Sequence, residues 1–102
     1  MEIEIKIYAR ESFDRKPINI SENTNLTYKG EIVQNAAESP FIIYGILTIG
    51  GGVASGFIAN YLYDKWKNKP IDKLTINKRE LKFNKGEIER IIEETIENTR
   101  YN

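Results

Sequence analysis

Four groups of residues in this 102-residue chain have types and spacings that could do chemistry. The carboxylates Glu87, Glu89, Glu93, Glu94 and Glu97 could serve acid–base work if two of them faced each other across a site. Their adjacent and i,i+4 spacing spreads them round the polar side of one helix instead, the ordinary solvated arrangement. Gly50, Gly51, Gly52 and Gly56 could bring a backbone close to a phosphate or to another helix. Lys65, Lys67, Lys69, Lys73, Lys78 and Arg79 form a basic run suited to an anionic partner. Tyr44, Tyr61, Tyr63 and Trp66 could stack on a base, sit at lipid headgroup level or close a core. The chain contains neither His nor Cys, which excludes His or Cys metal ligation, Ser-His-Asp and Cys-His catalysis, and disulfides. The expectation is a protein that is not an enzyme, with no catalytic residues, no metal and no cofactor.

Composition sets the frame for these residues. With 15 Lys and Arg against 15 Asp and Glu, and 40% hydrophobic residues, the chain has material for one small domain spanning residues 1–102. Zero net charge disfavours nucleic acid as partner, because that affinity comes from neutralising phosphates. Charge is nonetheless uneven: residues 65–85 hold 8 basic and 2 acidic side chains, and residues 86–102 hold 2 and 5. Two readings follow, a solvated hairpin whose cations neutralise an acidic helix, or a patch for an anionic partner. The N-terminus alternates Ile3, Ile5 and Ile7 with Glu2, Glu4 and Lys6, unlike the basic and then apolar start of a secretion signal. Together with the lack of Cys this gives a cytoplasmic expectation, with the inner membrane as the alternative.

The elements that must position these residues follow from hydrophobic period. Strict alternation makes residues 2–9 a half-buried strand. Residues 10–25, with Pro17, Ser21, Asn23 and Asn25, read as loop holding at most a brief strand around Ile18 and Ile20. Residues 26–33 read as a second strand, bulged near Gly30. Strands at 73–77 and 80–83 form a tight hairpin. Asn84 with Glu87 three residues on signals a helix start, and Ile88, Ile91, Ile92, Thr95 and Ile96 then give one apolar stripe, so a C-terminal amphipathic helix spans about 85–98. The fold class is α+β, a small antiparallel or mixed sheet packed on this helix and on a long Gly-rich apolar helix over about 41–68.

That central segment admits four readings. Phe41 to Tyr63 carries no formal charge, and a continuous helix of that length would run roughly 34 Å. As a core helix it presents a seam of small residues, Gly45, Thr48, Gly52, Ser55, Gly56 and Ala59, against which a second copy or a partner could lie. As a transmembrane helix it would oligomerise through the same seam, with its basic flank cytoplasmic. A third reading makes residues 41–49 a strand and residues 50–56 a phosphate-cradling turn, although the GxGxxxG spacing is one residue off the dinucleotide pattern. A fourth breaks the helix into two at Gly50–Gly52, since each glycine costs roughly 1 kcal/mol in a helix interior.

The order of elements, with Ile46 to Ile49, Gly51 to Gly56, Asn60, Leu62, the Trp66-Lys67 ending, Leu74 to Phe83 and Ile88 to Ile96, resembles the effector-associated constant component family. The resemblance implies an accessory component of a bacterial conflict or antiviral defence system, and carries over no catalytic residues. Residues and resemblance together give an expectation of a non-catalytic interaction or adaptor module that self-associates or docks a protein partner through residues 41–63. The alternative is a small single-span membrane effector.

Overall fold

The structure, a computed structural model, describes residues 1–35 and 38–100. Alternation in the N-terminal strand fixes which of its faces enters the core. In β1 (Glu2–Ala9), Ile3, Ile5, Ile7 and Ala9 are buried while Glu2 and Glu4 on the other face are exposed. Around it lie β2 (Ile18–Ser21), β3 (Thr24–Val33), β4 (Phe41–Thr48), β5 (Ile71–Ile76) and β6 (Arg79–Lys82), in the order β2-β3-β4-β1-β5-β6 and antiparallel at every pairing. Helices α1 (Ser55–Trp66) and α2 (Lys85–Arg100) complete the chain. Ile58, Leu62 and Trp66 of α1 and Ile88, Ile91 and Ile92 of α2 join the inward isoleucines of β1 in one core. Both helices therefore cover one face, and the face carrying Glu2, Glu4, Lys6 and Tyr8 stays open.

The long helix over 41–68 is not found. Residues 41–48 form β4, Ile49 to Ala54 form a loop, and helix begins only at Ser55. Neither the two-helix reading nor the transmembrane geometry survives this, and no helix among the described residues is long and apolar enough to cross a membrane. The physical cause is the composition of 41–48. Phe41, Ile42, Ile43, Tyr44, Ile46 and Thr48 are β-branched or aromatic, types that favour strand, and the open-face positions Ile42, Tyr44, Ile46 and Thr48 carry no charge, so the run lacks the polar alternation that marks β1. A short uncharged run of this kind has no period that separates strand from helix. The third reading placed this strand, but the turn it set over residues 50–56 runs only to Ala54, since Ser55 and Gly56 begin α1, and the nucleotide fold it invoked is not formed. β4 and β5 are parallel to each other with β1 between them, so β4-α1-β5 is a split βαβ unit in an antiparallel sheet.

Smaller features follow their local chemistry. β3 slips register between Tyr28 and Gly30, making Lys29 the extra residue of a bulge. Asn77 and Lys78 both have positive φ, 53° and 67°, the two-residue turn that matches strand twist. Asn84 Oδ1 accepts from the Glu87 backbone N–H at 2.8 Å and starts α2. The reciprocal half of the box is absent, because the Glu87 carboxylate bonds Arg90 instead, at 2.7 Å.

Candidate functional site

The expected seam does not exist as one surface. Gly45 and Thr48 lie on β4, Gly52 in the loop, and Ser55, Gly56 and Ala59 on α1. Each small residue has its own local reason. A Cβ on Gly45 would sit 2.6 Å from the Thr27 carbonyl oxygen, so the glycine lets β3 lie close against β4. Gly52 has φ +84° and open space around it, and serves the loop backbone. At Gly56 a Cβ would come 2.5 Å from Glu89 Oε1, the far end of a flexible side chain on α2 of the same chain that can shift away. Ala59 is buried in the core.

The expected basic patch divides in two. Arg79 bonds Glu94 at 2.6 Å, tying the β5-β6 hairpin to α2, and holds the Glu94 carboxyl below the usual carboxylate range. Lys73 bonds Glu80 at 2.8 Å and lies 4.8 Å from the centroid of Tyr8. Lys67 pairs with Asp64 at 3.6 Å, and Lys78 sits in the hairpin turn. The neutralised hairpin describes Arg79, which reaches the acidic helix, and Lys73, paired within the hairpin; Lys67 pairs at the end of α1 and Lys78 forms no salt bridge among the described residues. Lys65 and Lys69 behave differently. They reach a cleft of about 440 Å³ between the end of α1 and the edge of the sheet, where Lys16 joins them.

The cleft is built from three stretches of chain. The last turns of α1 and the residues after it supply Tyr61, Lys65, Trp66 and Lys69; Phe13, Asp14, Lys16 and Pro17 make the opposite rim; Ile18, Asn19 and Tyr28 come from β2 and β3. Trp66 anchors the floor. Its ring is 1% exposed, and its indole N–H donates to the Tyr28 hydroxyl at 3.0 Å. Burial pushes the Tyr28 phenol up from its ordinary value; the Trp66 bond partly offsets this and the Asp14 charge adds to it. Tyr28 is therefore a neutral phenol in physiological conditions, keeping a proton it can donate into the cleft. Lys65 lies 5.6 Å from the centroid of Tyr61 and Lys69 lies 5.6 Å from that of Phe13, contacts worth about 0.5–1 kcal/mol at exposed sites, which hold the two amines along the rim. Among the described residues, none of Lys16, Lys65 and Lys69 forms a salt bridge, and Asp14 is the acid that shares the cleft with them. An excess of two positive charges over an aromatic floor that includes the Tyr28 hydroxyl can receive an anionic group.

Several of the other candidate residues are engaged within the fold. Glu87 and Glu94 pair with Arg90 along α2, and that pairing raises the Arg90 guanidinium above its ordinary value. Tyr63 stacks on Phe83 with ring centroids 5.3 Å apart. Tyr44, expected near a helix end, stands on β4 with its ring over Gly30, where a Cβ would meet its hydroxyl at 2.6 Å. Sequence reasoning missed Phe13, Asp14, Lys16, Asn19 and Tyr28. Only a contact map could have found them, because they join Lys65 and Lys69 from stretches more than thirty residues away.

The chain matches no protein-family model, no curated protein and no solved structure. The resemblance noted above rests on its own residues.

Proposed function

We propose that this chain is a non-catalytic interaction module that receives an acidic segment of a protein partner, carboxylate-rich or phosphorylated, in the cleft between α1 and the β2-β3 edge. The observation that carries the reading is the convergence of Lys16, Lys65 and Lys69 on one concave site, while Lys67, Lys73 and Arg79 are engaged by carboxylates of the chain itself. A lysine already paired within the fold contributes little to a partner, whereas an amine held over an apolar floor without a counterion gains one when an acid arrives. Trp66 and Tyr28 give the site a fixed base, so little ordering is required on binding. An adaptor role also agrees with the accessory component that the family resemblance implies.

The test is titration of short peptides carrying clustered Asp and Glu, or a phosphorylated side chain, followed by fluorescence anisotropy. Binding that weakens about tenfold or more on combining Lys65→Glu with Lys69→Glu, and that also weakens with added salt, supports the site. Affinity unchanged by this double reversal, or lost equally with Lys73→Glu and Lys78→Glu, places any binding elsewhere and removes the proposal.

A further inference from the structure

The two edges of the sheet are finished differently. At one end β6 is four residues long and carries exposed Arg79, Glu80 and Lys82, the charged short edge that discourages strand addition. At the other end β2 pairs with β3 only along Thr24–Leu26, so among the described residues no strand lies beside the remaining length of β3, as far as Val33. That free stretch ends in Ile32, 49% exposed, and Val33, 58% exposed, two of the four large exposed apolar side chains among the described residues. The segment between β1 and β2 touches this stretch through the Ser12 hydroxyl on Glu31, and makes no backbone hydrogen bond to it among the described residues.

Hydrogen bonds at both sides of β4 fix which backbone groups of β3 point outward. Gln34 N–H donates to Pro40 O at 2.7 Å, so the even-numbered residues Gly30 and Ile32 turn their backbone groups toward β4. Ile49 N–H donates to Met1 O at 2.8 Å, which independently turns the odd-numbered residues of β4 toward β1 and gives the same parity. The N–H and C=O of Glu31 and Val33 therefore face the free edge.

We propose that two copies of this chain join edge to edge along β3, antiparallel, about a two-fold axis through Ile32. In this register Glu31 of each copy stands opposite Val33 of the other. Their outward groups form four backbone hydrogen bonds, and Ile32 meets its own copy on the open face. The symmetric registers centred nearer the bulge fail. Centring on Glu31 sets two carboxylates face to face, and centring on Gly30 brings the bulged Lys29 into the ladder. Shifting by one residue would oppose a helix-side residue to an open-face one, which a continuous sheet does not allow. The product is a twelve-stranded sheet with all four helices on one side. Its contact is distinct from the lysine cleft, whose rim lies beside Tyr28.

Sedimentation up to about 500 µM, a range in which small interfaces are weak but measurable, tests the pairing. Wild type is expected to show a concentration-dependent dimer. Val33→Pro removes an outward N–H while leaving the β4 ladder intact, and Ile32→Lys places like charges at the axis; each should leave monomer at every concentration while circular dichroism stays native. Amide exchange at Glu31 and Val33 should slow with concentration in wild type alone. Monomer throughout in wild type, or a dimer that persists in both variants, overturns the proposal.

Discussion

Tyr28→Phe probes the bond on which the cleft floor rests. The substitution keeps the ring and removes the oxygen that accepts from the Trp66 indole N–H at 3.0 Å. Trp66 is 1% exposed and the bond is part-buried beneath the cleft, so the indole N–H loses its fixed acceptor, and an unsatisfied buried donor costs about 1–3 kcal/mol. Against this, the phenol no longer has to be desolvated, which returns part of the cost, so the expected net loss is about 1–2 kcal/mol. For a domain of this size the corresponding fall in Tm is about 4–8 °C for each kcal/mol. Trp66→Phe removes the donor and also leaves a cavity, and should cost about 2–4 kcal/mol alone. The double variant should be less destabilised than the sum of the two by about 1 kcal/mol, because once the donor is gone the acceptor has nothing to lose. Urea unfolding by circular dichroism measures all four proteins, and Trp66, the one tryptophan of the chain, gives a second probe where it is present. Additive effects within about 0.3 kcal/mol would refute the coupling and with it the fixed floor.

Three further outcomes bear on the fold around the site. Lys78→Gly should stabilise by about 1 kcal/mol in the same unfolding assay, since φ is 67° there and glycine takes that conformation without strain; a loss of stability would contradict the turn. Gly45→Ala should cost about 1–3 kcal/mol or more because the new methyl meets the Thr27 carbonyl, which is backbone and cannot turn aside, while Gly51→Ala should be tolerated; the reverse order of melting temperatures would restore a helix-face role for these glycines. The Glu94 carboxyl is held low mainly by its bond to Arg79, so that contact stabilises the fold above the ordinary carboxylate range and is lost as pH falls through the lowered value. Arg79→Gln should therefore flatten the acid limb of stability against pH and return the Glu94 titration, followed by NMR, toward its usual range.

Legibility in the sequence followed the strength of periodic and local signals. β1, the hairpin and α2 were readable because Ile3-Ile5-Ile7 alternates, Asn77 marks a turn, and Asn84 precedes an isoleucine stripe. β4 is hard to read because its open-face residues Ile42, Tyr44, Ile46 and Thr48 are uncharged, leaving length as the apparent evidence and favouring a helix through Gly50–Gly52. The glycines carried real information about close approach, but each approach is to a different neighbour: β3 at Gly45 and the Tyr44 ring at Gly30, while Gly56 meets only the movable end of Glu89. The basic run was legible as charge and illegible as a site. Whether a lysine is paired depends on which carboxylate the fold delivers, Glu80 to Lys73 and Glu94 to Arg79, and no spacing along the chain encodes that.

The indole N–H of Trp66 gives a single, isolated proton signal on the floor of the cleft, and following it by NMR while an acidic peptide is added tests the proposed site most directly. The account predicts that this signal moves together with the amides of Tyr28, Lys65 and Lys69, saturably, and that salt suppresses the movement. Movement confined to Lys73, Lys78 and Lys82 on the hairpin, or none at any peptide concentration, would contradict it.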